Sequence, residues 1–308
     1  MQKSIPFAKF HGLGNDWLVV GGEGLPRPMS KFARAILDRH TGVGADGLIV
    51  MITPREPKHA ARIRFFNADG SEAEMSGNGI RCAAAFLAEL SPARRRFRIE
   101  TLAGVKSVEK MRQGKRGWLF RAGMGAPVLE PANIPFEAGN STAFLQGYPL
   151  RTERGVLPVT VTSMGNPHCS IFVQDFEDIA LAPNCRSASA EGGGPQSDSG
   201  AARLDWKSLG PEIETNPRFP NRTNVEFVKV ISRKEIEVCF WERGVGPTMS
   251  SGTGSCAATV ASILNGLTGR QVRVQTEAGS LLVEWPEHGE VVLTGSAQGI
   301  ARGAYNYP

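Results

Sequence analysis

Ser76-Gly77-Asn78-Gly79-Ile80-Arg81-Cys82-Ala83-Ala84-Ala85-Phe86-Leu87-Ala88-Glu89-Leu90 is a glycine-studded turn that runs straight into a helix-forming stretch. After Arg81 nearly every position is small or apolar, so a helix from Gly79 to Leu90 has no wide polar face and must be enclosed. The same kind of segment returns as Ser251-Gly252-Thr253-Gly254-Ser255-Cys256-Ala257-Ala258-Thr259-Val260-Ala261-Ser262-Ile263-Leu264. It reads as a second enclosed helix from Gly254 to Leu264, ended by Asn265-Gly266 as a left-handed cap. Phe66-Asn67 precedes the first turn at the same distance as Trp241-Glu242 precedes the second. At the same offset, Arg98-Ile99-Glu100-Thr101-Leu102-Ala103-Gly104 is matched by Arg273-Val274-Gln275-Thr276-Glu277-Ala278-Gly279. A fixed offset punctuated by glycines indicates an internal duplication. Two related half-domains are expected to face each other across one cleft, each contributing the same turn. Equivalent groups on opposite sides of a ligand suit chemistry that treats the two faces of one carbon alike.

Outward from these helices the chain reads as short strands separated by turns. Phe7-Ala8-Lys9-Phe10 alternates, Gly12-Leu13-Gly14-Asn15-Asp16 turns, and Trp17-Leu18-Val19-Val20 is strand-like. A helix is expected from about Ser30 to Arg39, and strands at Leu48–Met51 and Ala61–Phe66, the latter ending at Asn67-Ala68-Asp69-Gly70. Further strands are expected at 97–101, 117–120, 159–162, 225–230, 236–241, 272–276 and 281–285. The fold class is therefore α+β (mixed): two pseudo-symmetric domains, each a curved mixed sheet or barrel wrapped around a central buried helix. The expected domains are residues 1–127, completed by a C-terminal strand at 297–308, and residues 128–296. The Gly/Ser/Ala-rich stretch near 187–202 is read as an inserted flexible surface loop.

Composition narrows the classes of function. The 308 residues are 41% hydrophobic and 21% charged, as in an ordinary globular protein. No apolar run approaches the ~20 residues that a bilayer requires, so no membrane span is expected. The N-terminus lacks the apolar run of a secretion signal, and a cytoplasmic location is expected. The net charge of +5 is modest. The run Arg94-Arg95-Arg96 has no interleaved aromatic residues to stack on bases, so it reads as a solvated loop before a strand and not as a nucleic-acid surface. The positive balance favours anionic small molecules. Five cysteines (82, 169, 185, 239 and 256) include no CxxC pair, which argues against a disulfide framework or a structural zinc site.

The paired turns carry the candidate chemistry. The first turn of a helix presents unpaired N–H groups and the positive end of the dipole, so it holds an anion. Glycines let a ligand approach the backbone closely. Taken alone, Ser76 or Ser251 would be a plain N-cap; as a symmetric pair they read as opposed groups in a shared site.

The segments Phe10-His11-Gly12-Leu13-Gly14-Asn15-Asp16, Gly42-Val43-Gly44-Ala45-Asp46, Phe66-Asn67-Ala68-Asp69-Gly70-Ser71, Gly77-Asn78-Gly79-Ile80-Arg81-Cys82, Met164-Gly165-Asn166-Pro167-His168, Asn224-Val225-Glu226-Phe227 and Glu242-Arg243-Gly244 appear in register. In this the chain resembles the diaminopimelate epimerases from Phe7 to Gly303. The resemblance implies an isomerase that interconverts LL- and meso-diaminopimelate in lysine and peptidoglycan biosynthesis, without a cofactor or a metal, by two-base proton transfer. One thiolate would remove the α-proton and the opposite thiol would reprotonate the other face. Carried onto this chain, Ser76, Ser251, His168 and Glu242 occupy catalytic positions. Asn15, Asn67, Gly77, Asn78, Asn166, Asn224, Glu242, Arg243, Gly252 and Thr253 are the implied substrate contacts. The implied partner is the small-molecule substrate, with no nucleic acid and no membrane; family members can pair, so a homodimer is among the expected states.

The chain departs from the family at the two positions that matter most, because the residues before Gly77 and Gly252 should be cysteine and are serine. Pro247 and Gly47 replace the usual Glu and Gln. A serine hydroxyl ionises far less readily than a thiol, and no adjacent activating base is evident. Turnover by this Ser/Ser form is expected to be low or absent. The alternatives are a divergent racemase, epimerase or dehydratase of another amino acid, and a catalytically dead amino-acid-binding homologue. The serines are either replacements of catalytic cysteines or marks of natural divergence.

Overall fold

The computed structural model describes residues 3–114, 117–139, 145–181 and 204–307. The stretch 187–202, expected to be a loop, lies outside them. The chain divides into two units: Met1–Ala126 with Met249–Cys256 and Arg270–Pro308, and Pro127–Thr248 with Ala257–Gly269.

In the first unit, strands Lys3–Gly12, Asn15–Gly21, Gly47–Ile52, Ala61–Asn67, Arg96–Thr101, Gly104–Gly114, Gly117–Gly125 and Val291–Tyr307 pair in turn. The last strand pairs with both its predecessor and the first (Val292 opposite Gly123, Lys3 opposite Tyr307), so the sheet closes into an eight-stranded barrel. Two of its pairings are parallel, Asn15–Gly21 with Gly47–Ile52 and Ala61–Asn67 with Arg96–Thr101. Each parallel step needs a crossover, and each crossover carries a helix. The first is α1 (Met29–Leu37) and the second α2 (Gly77–Leu90).

Strand alternation sends one face to each helix. Leu18, Val20, Leu48, Val50 and Phe66 form a core with Phe32, Ala33, Ile36 and Leu37 of α1. The opposite face turns to α2: Phe65 packs against the helix at Gly79, and Phe10 meets Phe86 edge-on at 6.2 Å. Helix α2 is enclosed as its composition requires, with Gly77 through Ala85 and Ala88 all buried. Helix α1 stops at Leu37, short of the expected Arg39. The Asp38 carboxylate captures the backbone N–H groups of His40 and Thr41 at 2.9 and 2.6 Å and turns the chain out of the helix.

In the second unit, strands Tyr148–Arg151, Val156–Ser163, Pro167–Phe172, Asn224–Ser232, Glu235–Glu242 and Gly246–Thr248 pair in order. The step from Pro167–Phe172 to Asn224–Ser232 is parallel, with His168 opposite Asn224. Helix α3 (Trp206–Glu214) lies in that crossover, and Trp206, Leu209 and Ile213 join a core with Leu157, Val161, Ile171, Val225 and Phe227. The sequence did not announce α3, since it contains Gly210-Pro211, a helix-breaking pair. Gly210 is there for space: a Cβ on it would stand 2.5 Å from the Trp241 ring. Asp205 caps the helix by accepting from the Ser208 N–H at 2.7 Å.

The duplication is visible in strand order. Hairpin, parallel step over a helix, antiparallel return and buried helix occur in the first half up to α2. They recur in the second half up to α4 (Gly252–Leu264), which is as uniformly small and apolar as its sequence suggested. A three-stranded antiparallel meander follows each buried helix. No helix among the described residues is long and apolar enough to cross a membrane.

Candidate active site

Ser76 and Ser251 are both N-caps. The Ser76 Oγ accepts from the Gly79 N–H at 3.1 Å, and the Ser251 Oγ from the Gly254 N–H at 3.2 Å. The first intrahelical bonds of α2 and α4 are made by the N–H groups of Ile80 and Ser255. The N–H groups of Gly77, Asn78, Gly252 and Thr253 therefore lie ahead of the helical ladders. Within the first unit these two helix starts touch. A Cβ built on Gly252 would stand 2.9 Å from the Gly77 Cα, and one on Gly77 would stand 3.0 Å from the Gly252 Cα. Neither glycine has a positive φ; what forbids a side chain here is the backbone of the other helix. Ser76 and Ser251 each precede this contact by one residue.

Behind it lies Arg81, fully buried. Its Nη1 donates to the Gly77 carbonyl at 2.7 Å, its Nη2 to Asn78 Oδ1 at 2.5 Å and its Nε to the Ser296 carbonyl at 3.4 Å. All three acceptors are neutral, and burial lowers the guanidinium pKa to about 10. The Gly77 carbonyl belongs to the same peptide as the Asn78 N–H, so Arg81 polarises one of the first-turn donors. Cys82 and Cys256 are both fully buried, and burial pushes each thiol up to about 12. They are inert core thiols, unsuited to act as bases near neutral pH.

Asn15 and Asn67 stand at one end of the barrel, at the start of Asn15–Gly21 and the end of Ala61–Asn67; Gly47 is paired with both Trp17 and Asn67. The Asn15 Nδ2 donates to Asp46 Oδ2 at 3.0 Å, and Trp17 Nε1 donates to Asn15 Oδ1 at 2.5 Å. Asp16 and Asp46 accept reciprocally from each other's backbone N–H, at 2.9 and 3.0 Å, and share the Arg39 guanidinium; Lys9 also pairs with Asp16 at 2.9 Å. This latch joins the starts of the two parallel strands. The Asn67 Nδ2 donates to Ser71 Oγ at 2.9 Å within its own turn.

In the second unit, His168 is fully buried with both ring nitrogens engaged. Nδ1 meets Glu226 Oε1 at 2.6 Å and Nε2 meets Asn166 Oδ1 at 3.0 Å. Asn224 braces backbone, donating to the Pro167 carbonyl at 3.0 Å and accepting from the Arg243 N–H at 3.0 Å. Glu242 Oε1 accepts from the Thr248 hydroxyl at 2.7 Å, and the exposed Arg243 donates to the Asn221 carbonyl at 3.1 Å. The turn that carries them is held from behind by Glu214, which accepts from Trp241 Nε1 at 2.7 Å and from the Gly244 N–H at 2.8 Å.

The structure thus brings Ser76, Gly77, Asn78, Ser251 and Gly252 together at two adjoining helix starts. It groups Asn166 with His168, and joins Asn224, at the start of its strand, to Arg243 on the turn that follows Glu242. The supporting carboxylates Asp46, Glu214 and Glu226, and the buried Arg81, were not singled out as functional from the sequence. Asp46, Glu226 and Arg81 stood inside quoted motifs, and only long-range pairing shows what each one holds. Among the described residues, no group of three or more His, Cys, Asp or Glu side chains is arranged to hold a metal ion.

The chain matches the family described as Diaminopimelate epimerase over residues 7–130 and 160–300. A diaminopimelate epimerase from Pelotomaculum thermopropionicum is 43% identical over 305 residues, covering 98% of this chain and 99% of its own. Another, from Halothermothrix orenii, is 40% identical over 97% of each chain. Among solved structures, a hydroxyproline epimerase from Agrobacterium vitis aligns with a TM-score of 0.68 over 99% of this chain and 94% of its own. Its 14% identity speaks to the fold alone. On its sequence relatives, this chain belongs to the diaminopimelate epimerase family.

Proposed function

We propose that the adjoining starts of α2 and α4 form an amino-acid epimerase site for LL- and meso-diaminopimelate, in which Ser76 and Ser251 stand at the two positions that exchange the α-proton. The observation that carries the reading is the Gly77–Gly252 contact, which brings two serine-capped helix ends together. The first-turn N–H groups and the two dipoles favour the α-carboxylate and stabilise the planar carbanion left when the proton departs. The carbanion has no cofactor to delocalise it in this scheme, so that electrostatic support is the main lever on the barrier. Asn15, Asn67, Asn166 and Asn224, with Glu242 and Arg243, are assigned to the polar ends of the substrate, as family resemblance implies.

Each serine Oγ already accepts an N–H bond and keeps its proton to donate. A hydroxyl so placed can hydrogen-bond a substrate but has little capacity to remove a proton near pH 7, whereas a thiol with an ordinary pKa of about 8.5 at a helix start does so readily. Low or absent turnover follows for the Ser/Ser chain. A second reading, a binding protein without catalysis, is favoured by one observation: the thiols nearest along the helices, Cys82 and Cys256, are buried and raised to about 12.

The test is incubation with LL- and meso-diaminopimelate in heavy water, for the chain as it stands and with Ser76→Cys and Ser251→Cys singly and together. Deuterium at the α-carbon that appears only with both cysteines supports the epimerase site. Tight binding with no exchange in any variant favours the binding protein. No binding of diaminopimelate, with another amino acid bound well, overturns the substrate assignment.

A further inference from the structure

Arg81 is among the largest side chains that the protein hides completely, at 0% exposure. The buried carboxylates Asp16, Glu100, Glu214 and Glu226 each meet a basic group. Arg81 meets no group of opposite sign. Its acceptors are the Gly77 and Ser296 carbonyls and the Asn78 amide oxygen, and among the described residues no carboxylate lies within ion-pair distance of it. The thiols of Cys82 and Cys256 act on it electrostatically, but burial keeps both protonated, so neither supplies the missing charge. A buried charge without a partner is costly. Its place early in α2 also adds to the positive end of the helix dipole instead of offsetting it. The fold nevertheless makes a slot for it. A Cβ on Gly12 would stand 3.1 Å from Nη2, and one on Gly295 would stand 3.0 Å from Nε and 3.2 Å from Cζ, so two strands lack side chains where the guanidinium lies.

We propose that Arg81 is a positioning residue whose counter-charge arrives from outside: a carboxylate seated at the adjoining starts of α2 and α4 completes an ion pair that the fold leaves half made. The link is the peptide between Gly77 and Asn78. Nη1 donates to its carbonyl at 2.7 Å, and Nη2 fixes the Asn78 side chain at 2.5 Å. The carbonyl and N–H of a trans peptide point in opposite directions, so the Asn78 N–H points away from the guanidinium. An anion at that N–H therefore meets the cation through one aligned peptide dipole, added to those of the helices. In dry surroundings the field is screened far less than it would be in water. The same field favours any negative charge at position 76, so the role can be tested without a ligand. A plain brace that ties α2 to the strand Val291–Tyr307 would need the hydrogen bonds but not the charge, and that difference decides between the two.

Only the identity of the anion rests on the epimerase reading, and the experiment separates the two. In the full chain carrying Ser76→Cys, without ligand, the rate of iodoacetamide alkylation at position 76 is followed against pH by peptide mass spectrometry and reports the ionisation of that thiol. Adding Arg81→Met should lower the thiolate fraction at neutral pH about tenfold, the low end of what a nearby opposite charge supplies. Arg81→Lys keeps the charge but loses the fork, and should retain most of the reactivity. An unchanged profile with Arg81→Met, or an equal loss with Arg81→Lys, would make Arg81 a brace and overturn the proposal. Asn78→Asp leaves the arginine in its slot and sets a carboxylate against Nη2, so it reads the missing charge even where emptying the slot unfolds the chain. Its Tm should rise as the buried cation gains a partner, while the thiol at position 76 loses reactivity; a lower Tm would refute the unmet charge. Diaminopimelate affinity of the parent chain, by titration calorimetry, should fall about tenfold or more with Arg81→Met and less with Arg81→Lys. Unchanged affinity with Arg81→Met beside intact binding in the parent would rule out the pairing with a ligand carboxylate. If the parent binds no diaminopimelate while the thiol still responds to Arg81, the ligand assignment fails and the charge role stands.

Discussion

Replacing Gly252 with alanine tests the central contact directly. The new methyl would sit 2.9 Å from the Gly77 Cα, 3.2 Å from its carbonyl carbon and 3.4 Å from the Asn78 nitrogen. All three are backbone atoms, so no side chain can swing aside and the helix ends must separate. Overpacking of this kind costs ~1–3 kcal/mol. Alanine returns up to ~1 kcal/mol through helix propensity, and less in a first turn. The net loss should be about 1–2 kcal/mol, or roughly 2–6 °C in Tm by calorimetry. Gly77→Ala should behave alike, with one difference: part of its clash falls on the flexible Met124 Cε at 3.0 Å. Because the two methyls would contest the same gap, a double-mutant cycle should show coupling of more than about 0.5 kcal/mol. Gly21→Ala, with nothing within 4 Å of the added carbon, is the control and should leave Tm nearly unchanged. Diaminopimelate affinity, read by titration calorimetry, should fall more than about tenfold in Gly252→Ala as the first-turn donors move apart. Stability and affinity both unchanged would mean that the two helix starts do not meet as described.

Two further outcomes follow. Glu100 accepts from the Glu56 N–H, from His59 Nδ1 at 2.8 Å and from the Arg55 N–H, and these bonds hold its carboxyl at about 2, below the ordinary 4.5. Its contribution is complete above the unfolded value and is lost as pH falls from there through about 2; thermal melts of Glu100→Gln should therefore depend less on pH across that acid window, and an identical pH slope would refute the bonding. Cys82 and Cys256, at about 12, hold roughly one part in ten thousand thiolate at pH 8. Iodoacetamide should leave both unlabelled in the folded chain, as read by peptide mass spectrometry; rapid labelling of either would restore it as a candidate base.

The sequence made the skeleton readable for a physical reason. Uniformly small, apolar helices such as 79–90 and 254–264 have only one stable environment, and glycines at 77 and 252 mark a place where backbones approach. The capping role of Ser76 and Ser251 was also legible, because an N-cap is a local interaction. What stayed hidden depends on non-local register. Glu226 meets His168 only because two strands from distant parts of the chain lie parallel, and Glu214 reaches Trp241 only because α3 forms despite Gly210-Pro211. Likewise, the sequence could propose His168 as a catalytic group but could not show both of its nitrogens already occupied.

The Asp16–Asp46 latch bears on how such a site changes its preferences. Asn15 is gripped at the oxygen by Trp17 and at the nitrogen by Asp46, which is itself tied to Asp16 and Arg39. A side chain so gripped surrenders its rotamers during folding and spends nothing more when a guest arrives. The same stiffness leaves it unable to lean towards a shorter or longer molecule. On the reading proposed above, in which Asn15 contacts the substrate, a change of preference would have to begin with residues 17 and 46, whose bonds hold that side chain in place.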